Sequence, residues 1–445
     1  MVDCKTLLIA QGIFLAPEPR PDSIGYEDDA VTGARCHYNR EAHADRCAKV
    51  FEVLGVSWDA QVGSGWPEPF SDEGEGGTDG LDVYISKDAE GGAYVDSTYV
   101  DADPDDDRRG AWSHMVLDPG IDPDEYADYV AHEFNHVLQF ATDFTEPTLP
   151  AWEGAATRAE ELTYPGNGSG PTVAPDYNKT PWVGFLLDGW WLWDEYKIWS
   201  YYEYGSVLFF DDLREEHGIT ASDFWWAMVN ATPKNEPDAL DALEELTGDA
   251  KQYWIDFGVR RAKMGTSEAP EWAQETYPDA PLGIEGALAV GESLDPAYGV
   301  YDWGFVAVDI EADGTLAIDG EDGVEWAVVS VGRELELVTP TEVHAGETIL
   351  VFNFGPPEFD GDDTPAQRSI TISLAESGDT GDTGDTGDTG IDSRPDPPGG
   401  EDPGGCGCSS GLGATAPWLL TLLVFARRSR RKMPATPEPG REGTG

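Results

Sequence analysis

Basic residues are scarce in this chain. It carries 27 Lys and Arg against 86 Asp and Glu over 445 residues, a formal charge of -59. A phosphate backbone would be repelled by such a surface, so nucleic acid is excluded as a partner. The charge suits a solvated, secreted or surface-exposed protein. Cysteine is also rare: Cys4, Cys36, Cys47, Cys406 and Cys408 are the full set. None forms a CxxC pair, which argues against a cysteine zinc site. Cys36 and Cys47 either form a disulfide in an oxidising compartment or stay as two buried thiols. A strong secretory leader is missing too. Residues 6–16 are mildly apolar but have only Lys5 upstream, and Gln11 interrupts them. The expectation is a true start that differs from Met1, with residues 1–77 an N-terminal region or pro-region.

Apolar residues make up 40 % and aromatics 11 %, enough for two or three domains with real cores. Residues 81–85 (LDVYI) and 115–117 read as strands. Residues 101–107 (DADPDDD) form an oxygen-rich loop of the kind that can hold Ca2+. With no EF-hand pattern, a plain solvated loop is the favoured reading. Helical patterns cover residues 122–142, 151–162, 204–217, 221–230 and 237–264. From about 283 to 375, short β-branched and aromatic runs alternate with Gly and Asp turns, the pattern of a small β-sandwich. Residues 376–405 are a Gly-Asp-Thr and Pro-rich linker that cannot bury a core. The fold class expected is therefore α+β.

Residues 132–136 read His-Glu-Phe-Asn-His. The segment from 122 onward has Asp122 to cap, Pro123 at the first helical position and Glu125 three residues on. On a helix, positions i and i+4 share a face, so His132 and His136 can reach one metal ion. Glu133 lies beside the same point, placed to take a proton from water. Such a donor set favours Zn2+, which lowers the pKa of water at its open position to about 7. A catalytic zinc needs a third protein ligand. The metzincin pattern would require Gly at 139 and His at 142, where this chain has Gln139 and Thr142. Glu153, in Trp152-Glu153-Gly154-Ala155-Ala156, is the favoured ligand, and Gly154 permits a close backbone approach. Glu160 and Glu161 compete for the role.

This arrangement resembles the gluzincin class, in which a glutamate on a second helix completes the site. The string is similar to the Trp-x-x-Glu-Gly-x-Ala pattern of several such peptidases, although Trp152 directly precedes Glu153. The resemblance implies a zincin-like metalloprotease domain over residues 78–265, with a mixed sheet plus active-site helices. It also implies a downstream tyrosine that stabilises the oxyanion, for which Tyr204 is the candidate and His217 the alternative. Trp182, Trp190, Trp191, Trp193 and Trp199 line a cleft or pack a core.

Residues 406–432 join Cys406 and Cys408 to an apolar stretch, 411–426, and an arginine-rich end. That stretch is short of the roughly 20 residues a spanning helix needs, and the basic end fits a positive-inside stop. The segment resembles the myxobacterial C-terminal sorting tag, MYXO-CTERM. That implies a transmembrane segment before processing, then anchoring at the cell surface, with residues 433–445 a disordered tail. The expected function is a surface-anchored zinc endopeptidase acting on protein or peptide substrates. The rival is a non-catalytic adhesin or binding protein with a degenerate metal site.

Overall fold

The computed structural model describes residues 20–99, 110–144, 146, 148–187, 201–229, 237–331, 341–361 and 363–377. The 101–107 loop, Trp190, Trp191, Trp193, Trp199, most of the linker, the sorting tag and residues 6–16 lie outside the described residues. Mixed α and β structure is present throughout the rest, as the patterning implied.

Five strands build the first sheet: β1 (Gly25–Asp28), β2 (Arg35–Tyr38), β3 (Asp82–Ile85), β4 (Ala93–Tyr99) and β5 (Ala111–Leu117). Their spatial order is β1-β2-β3-β5-β4. The inner pairs β2/β3 and β3/β5 are parallel, and the outer pairs are antiparallel. Strand alternation sends Val83, Ile85, Met115 and Leu117 into the main core. Tyr84 and Val116 point to the other face, with Ala89 and Tyr94. All seven β5 residues are buried, as expected of a strand covered on both faces. The helix carrying the histidines follows β5, which is internal. The sheet edges are β1 and β4.

The boundary drawn at residue 78 does not hold. Strand β2 pairs with β3 from Arg35↔Asp82 to Tyr38↔Ile85, so residues 25–38 belong to this sheet. Helix α1 (Ala44–Gln61) buries Cys47, Val50, Val53 and Leu54 at helical spacing against the same core. A Cys36–Cys47 disulfide, Cα–Cα 5.5 Å, ties α1 to β2, which resolves the choice between bridge and free thiols.

Further helices are α2 (Tyr126–Thr142), α3 (Leu149–Thr163), α4 (Gly170–Lys179), α5 (Tyr202–Gly205), α6 (Val207–His217), α7 (Ala221–Ala227), α8 (Ala239–Thr247), α9 (Ala250–Lys263) and α10 (Glu271–Thr276). Helix α2 starts later than Asp122 suggested. A 3-10 turn, Pro123–Glu125, precedes it, and Asp122 Oδ1 accepts from the Asp124 amide instead of closing a capping box with Glu125. The single helix expected over 237–264 is two. Gly248, at φ +85°, ends α8, and the Asp249 side chain caps α9 by accepting from the Gln252 amide.

Among the described residues, 286–375 form two four-stranded sheets and a two-stranded one that pairs β8 (Val300–Tyr301) with β14 (Gln367–Arg368). One four-stranded sheet is ordered β11-β13-β9-β6 (Trp326–Ser330, Thr348–Asn353, Gly304–Ile310, Gly286–Leu288) and the other β12-β10-β15-β7 (Thr341–Val343, Gly314–Gly320, Ile370–Ala375, Ser293–Leu294). They share one hydrophobic core with the helices. The rings of Trp254 on α9 and Trp303 lie 6.2 Å apart, and Arg261 covers Phe305 at 5.0 Å. The described residues up to 377 therefore form one compact unit, without an independent division near residue 283.

Candidate metal centre

Helices α2 and α3 meet with their polar faces inward. His132, Glu133 and His136 come from α2, and Glu153 comes from the first turns of α3, where Pro150 suits a helix start. All four are at most 2 % exposed. The two imidazole Nε2 atoms lie 3.2 Å apart. Glu153 Oε2 stands 3.1 Å from Nε2 of His132 and 3.6 Å from that of His136. These three residues form a group whose donor atoms converge on one point, the only such group among the described residues. A tetrahedral ion with bonds of about 2.1 Å separates its ligands by about 3.4 Å. The observed spacings bracket that value, so the donor set fits a metal ion.

Each histidine is held from behind. His132 Nδ1–H donates to Glu160 Oε1 at 2.8 Å, and His136 Nδ1–H donates to Gln139 Oε1 at 2.6 Å. In the neutral ring, each contact keeps the proton on Nδ1 and turns the Nε2 lone pair toward the centre. Glu160 is fixed in turn by the Ser169 amide, 2.7 Å from Oε2, and Gln139 donates to the Trp152 carbonyl at 2.9 Å. Glu160 thus stands behind His132 and outside the converging group. It lies seven residues after Glu153, two turns along the same face, and Gln139 lies three after His136. Those spacings were available in the sequence as a signal. Glu161 turns away and accepts from the amides of Gly166 and Gly168.

The region before residue 78 also reaches the site. Buried Gln61 on α1 donates to the Ala131 carbonyl at 2.8 Å and accepts from Asn135 Nδ2 at 3.1 Å. Close packing of α3 depends on Gly154, since a Cβ there would collide with the Ser206 side chain. Ser206 Oγ donates to the Pro150 carbonyl at 2.6 Å, which locks the start of α3 onto the α5–α6 junction.

Burial and charge set the protonation tendencies. Burial alone would depress the His132 imidazolium, but its contacts with Glu153 and Glu160 outweigh this and hold its pKa up at about 10. Burial would raise Glu153, yet His136 and His132 pull it well below the usual carboxylate range. The two shifts are the two sides of one attraction, the imidazole favouring its protonated form and Glu153 its ionised form. Glu133 differs. Burial raises it to about 7, only partly offset by His136 and His132, and neither carboxylate oxygen has a hydrogen-bond partner.

The Tyr204 ring stacks on His132 with centroids 5.7 Å apart and planes at 28°, so it borders the group. His217 does not. It is exposed at the end of α6, with its ring against Tyr253. Trp182 packs on Tyr298 at 4.8 Å, a core contact. Trp152 packs on Phe140 and Trp225 and fixes α3 beside α2. No family model matches the chain, and comparison with curated proteins returned no match.

Proposed function

We propose that this chain is a zinc-dependent endopeptidase with a zincin-like domain of gluzincin type, His132, His136 and Glu153 being the metal ligands. The observation that carries the reading is the convergence of two imidazole nitrogens and one carboxylate beside an unpaired, buried Glu133. Zinc in such a set acts as a Lewis acid on a carbonyl oxygen and lowers the pKa of water at its open position to about 7.

The protein's own groups supply the rest. Glu133 takes a proton from the attacking water and returns it to the leaving amine. Burial pushes the Glu133 carboxyl up from the usual range, the direction that suits a group which must also return a proton. Tyr204, stacked on His132, is the proposed donor to the developing oxyanion. Glu160 and Gln139 orient the imidazoles. The substrate is a protein or peptide outside the cell, and the resemblance of residues 406–432 to the sorting tag supports attachment at the cell surface. Among the described residues no helix is long and apolar enough to cross a membrane. The adhesin alternative draws on the same tag and on the β-sheets of residues 286–375, and those sheets contribute nothing to the donor group.

The test is zinc content per chain and casein hydrolysis for the wild type and Glu133→Ala. About one zinc in each protein, with hydrolysis lost only in Glu133→Ala, supports the proposal. Equal hydrolysis in both overturns it.

A further inference from the structure

A cavity of about 300 Å3 opens beside the donor group, and His132 forms part of its wall. That volume is at the small end of ligand sites, suited to one side chain and not to a large ligand. Asp128 and Glu125, one and two turns before His132, bring two carboxylates to it. Tyr129, Tyr201 and Tyr204 bring three aromatic rings. No Lys or Arg lines it among the described residues.

The Asp128 carboxylate is not free to fold away. Asp128 Oδ1 accepts from Asn167 Nδ2 at 2.6 Å, so Asn167 fixes the carboxylate in place. Glu160, also on the wall, is committed to His132 and to the Ser169 amide. Acidic groups and aromatic rings lining one cavity suit a cation with an apolar stem. The ring faces attract the charge and the stem packs along them. Because His132 belongs to both the donor group and the cavity wall, a side chain lodged here belongs to a residue flanking the scissile bond.

Resting on the peptidase reading, we propose that this cavity is a specificity pocket for lysine or arginine beside the scissile bond, with Asp128 as its main determinant. The surplus of 86 acidic over 27 basic residues works in the same direction, since it draws basic peptides and repels acidic ones.

The test uses zinc-loaded protein and fluorogenic peptides carrying Lys, Leu or Glu at each position flanking the scissile bond. The readout is the ratio of kcat/KM for the Lys peptide to that for the Leu peptide. Wild type is expected to favour Lys by about tenfold or more, mainly through KM. Asp128→Asn keeps an oxygen for Asn167 and should cut the ratio about tenfold, while Glu125→Gln, at a more exposed position, should cut it less. Asp128→Lys should turn the preference toward Glu. Zinc-dependent cleavage of the Leu peptide without any Lys preference overturns this inference and leaves the peptidase reading standing. A Lys preference unchanged in Asp128→Asn and Glu125→Gln also overturns it. Failure to cleave any of the peptides removes both.

Discussion

Replacing Glu160 by Gln should weaken zinc binding without removing a ligand. Glu160 accepts two N–H groups, from His132 Nδ1 at 2.8 Å and from the Ser169 amide at 2.7 Å. A carboxylate serves both, whereas an amide has one oxygen and one NH2. Gln must therefore set an N–H against an N–H or release one partner. It also removes one of the two negative charges that raise His132. Loss of a carboxylate behind a ligating histidine typically costs about 10–100-fold in metal affinity, or about 1.4–2.7 kcal/mol. A competition titration of apoprotein against a chromophoric zinc chelator at pH 7.5 measures this directly. Thermal melting of the apo forms checks that the fold is retained. Glu153→Gln, which loses a ligand, should bind more weakly than Glu160→Gln. If Glu160→Gln holds zinc within twofold of wild type, the supporting role assigned to Glu160 is wrong.

Glu133→Gln should retain zinc and lose about 10²–10⁴-fold in kcat, and a loss of zinc instead would move Glu133 from proton transfer to the ligand set. Gly154→Ala gains about 1 kcal/mol of helix propensity but drives a methyl into Ser206. Overpacking of about 1–3 kcal/mol should dominate, and urea unfolding that finds the variant more stable would contradict the close packing of α3. His114 is buried, and burial with help from Arg20 lowers its pKa to about 3. Across pH 6.5 to 3 the unfolded chain therefore binds the extra proton, and stability falls by up to about 1.4 kcal/mol per unit as pH drops. His114→Gln should flatten that limb in acid-unfolding curves, and an unchanged limb would refute the assignment.

The converging His132, His136 and Glu153 group was legible because its determinants are local. An HExxH spacing needs only the helical period to bring two imidazoles together. Glu153 lies on the next helix, close enough in sequence for a turn to deliver it. Glu160 and Gln139 obey the same periodicity but were hidden by ambiguity. A carboxylate two turns past a ligand reads equally well as a ligand or as its support, and only the direction of His132 Nδ1 decides. The domain boundary at 78 failed for a different reason. Strand β2 pairs with β3 across more than forty residues, and nothing in either strand encodes its partner. Helix α1 was missed because Gln61, Ser57 and Gly55 blur its apolar stripe. Gln61 is polar because it reaches the α2 backbone.

That last point bears on why the site is where it is. Buried polar groups are normally paired, and an unpaired carboxylate in the core costs several kcal/mol unless it stays protonated. Around the donor group most polar side chains keep at least one partner, although Asn135 Oδ1 and Glu153 Oε1 have none. Gln61, Asn135, Gln139 and Glu160 each have a partner within about 3.1 Å. Glu133 has none on either oxygen, on the same helix and at full burial. A folding requirement would be met at lower cost by an apolar residue at this position, since Phe134 and Val137 already fill the adjacent core. An acid with neither oxygen paired, among neighbours that each keep at least one partner and one residue from the converging His132, is better explained by a proton-transfer task than by stability. Replacement of Glu133 by Leu should therefore stabilise the apoprotein in urea while abolishing hydrolysis. A variant that is both less stable and still active would reverse the argument.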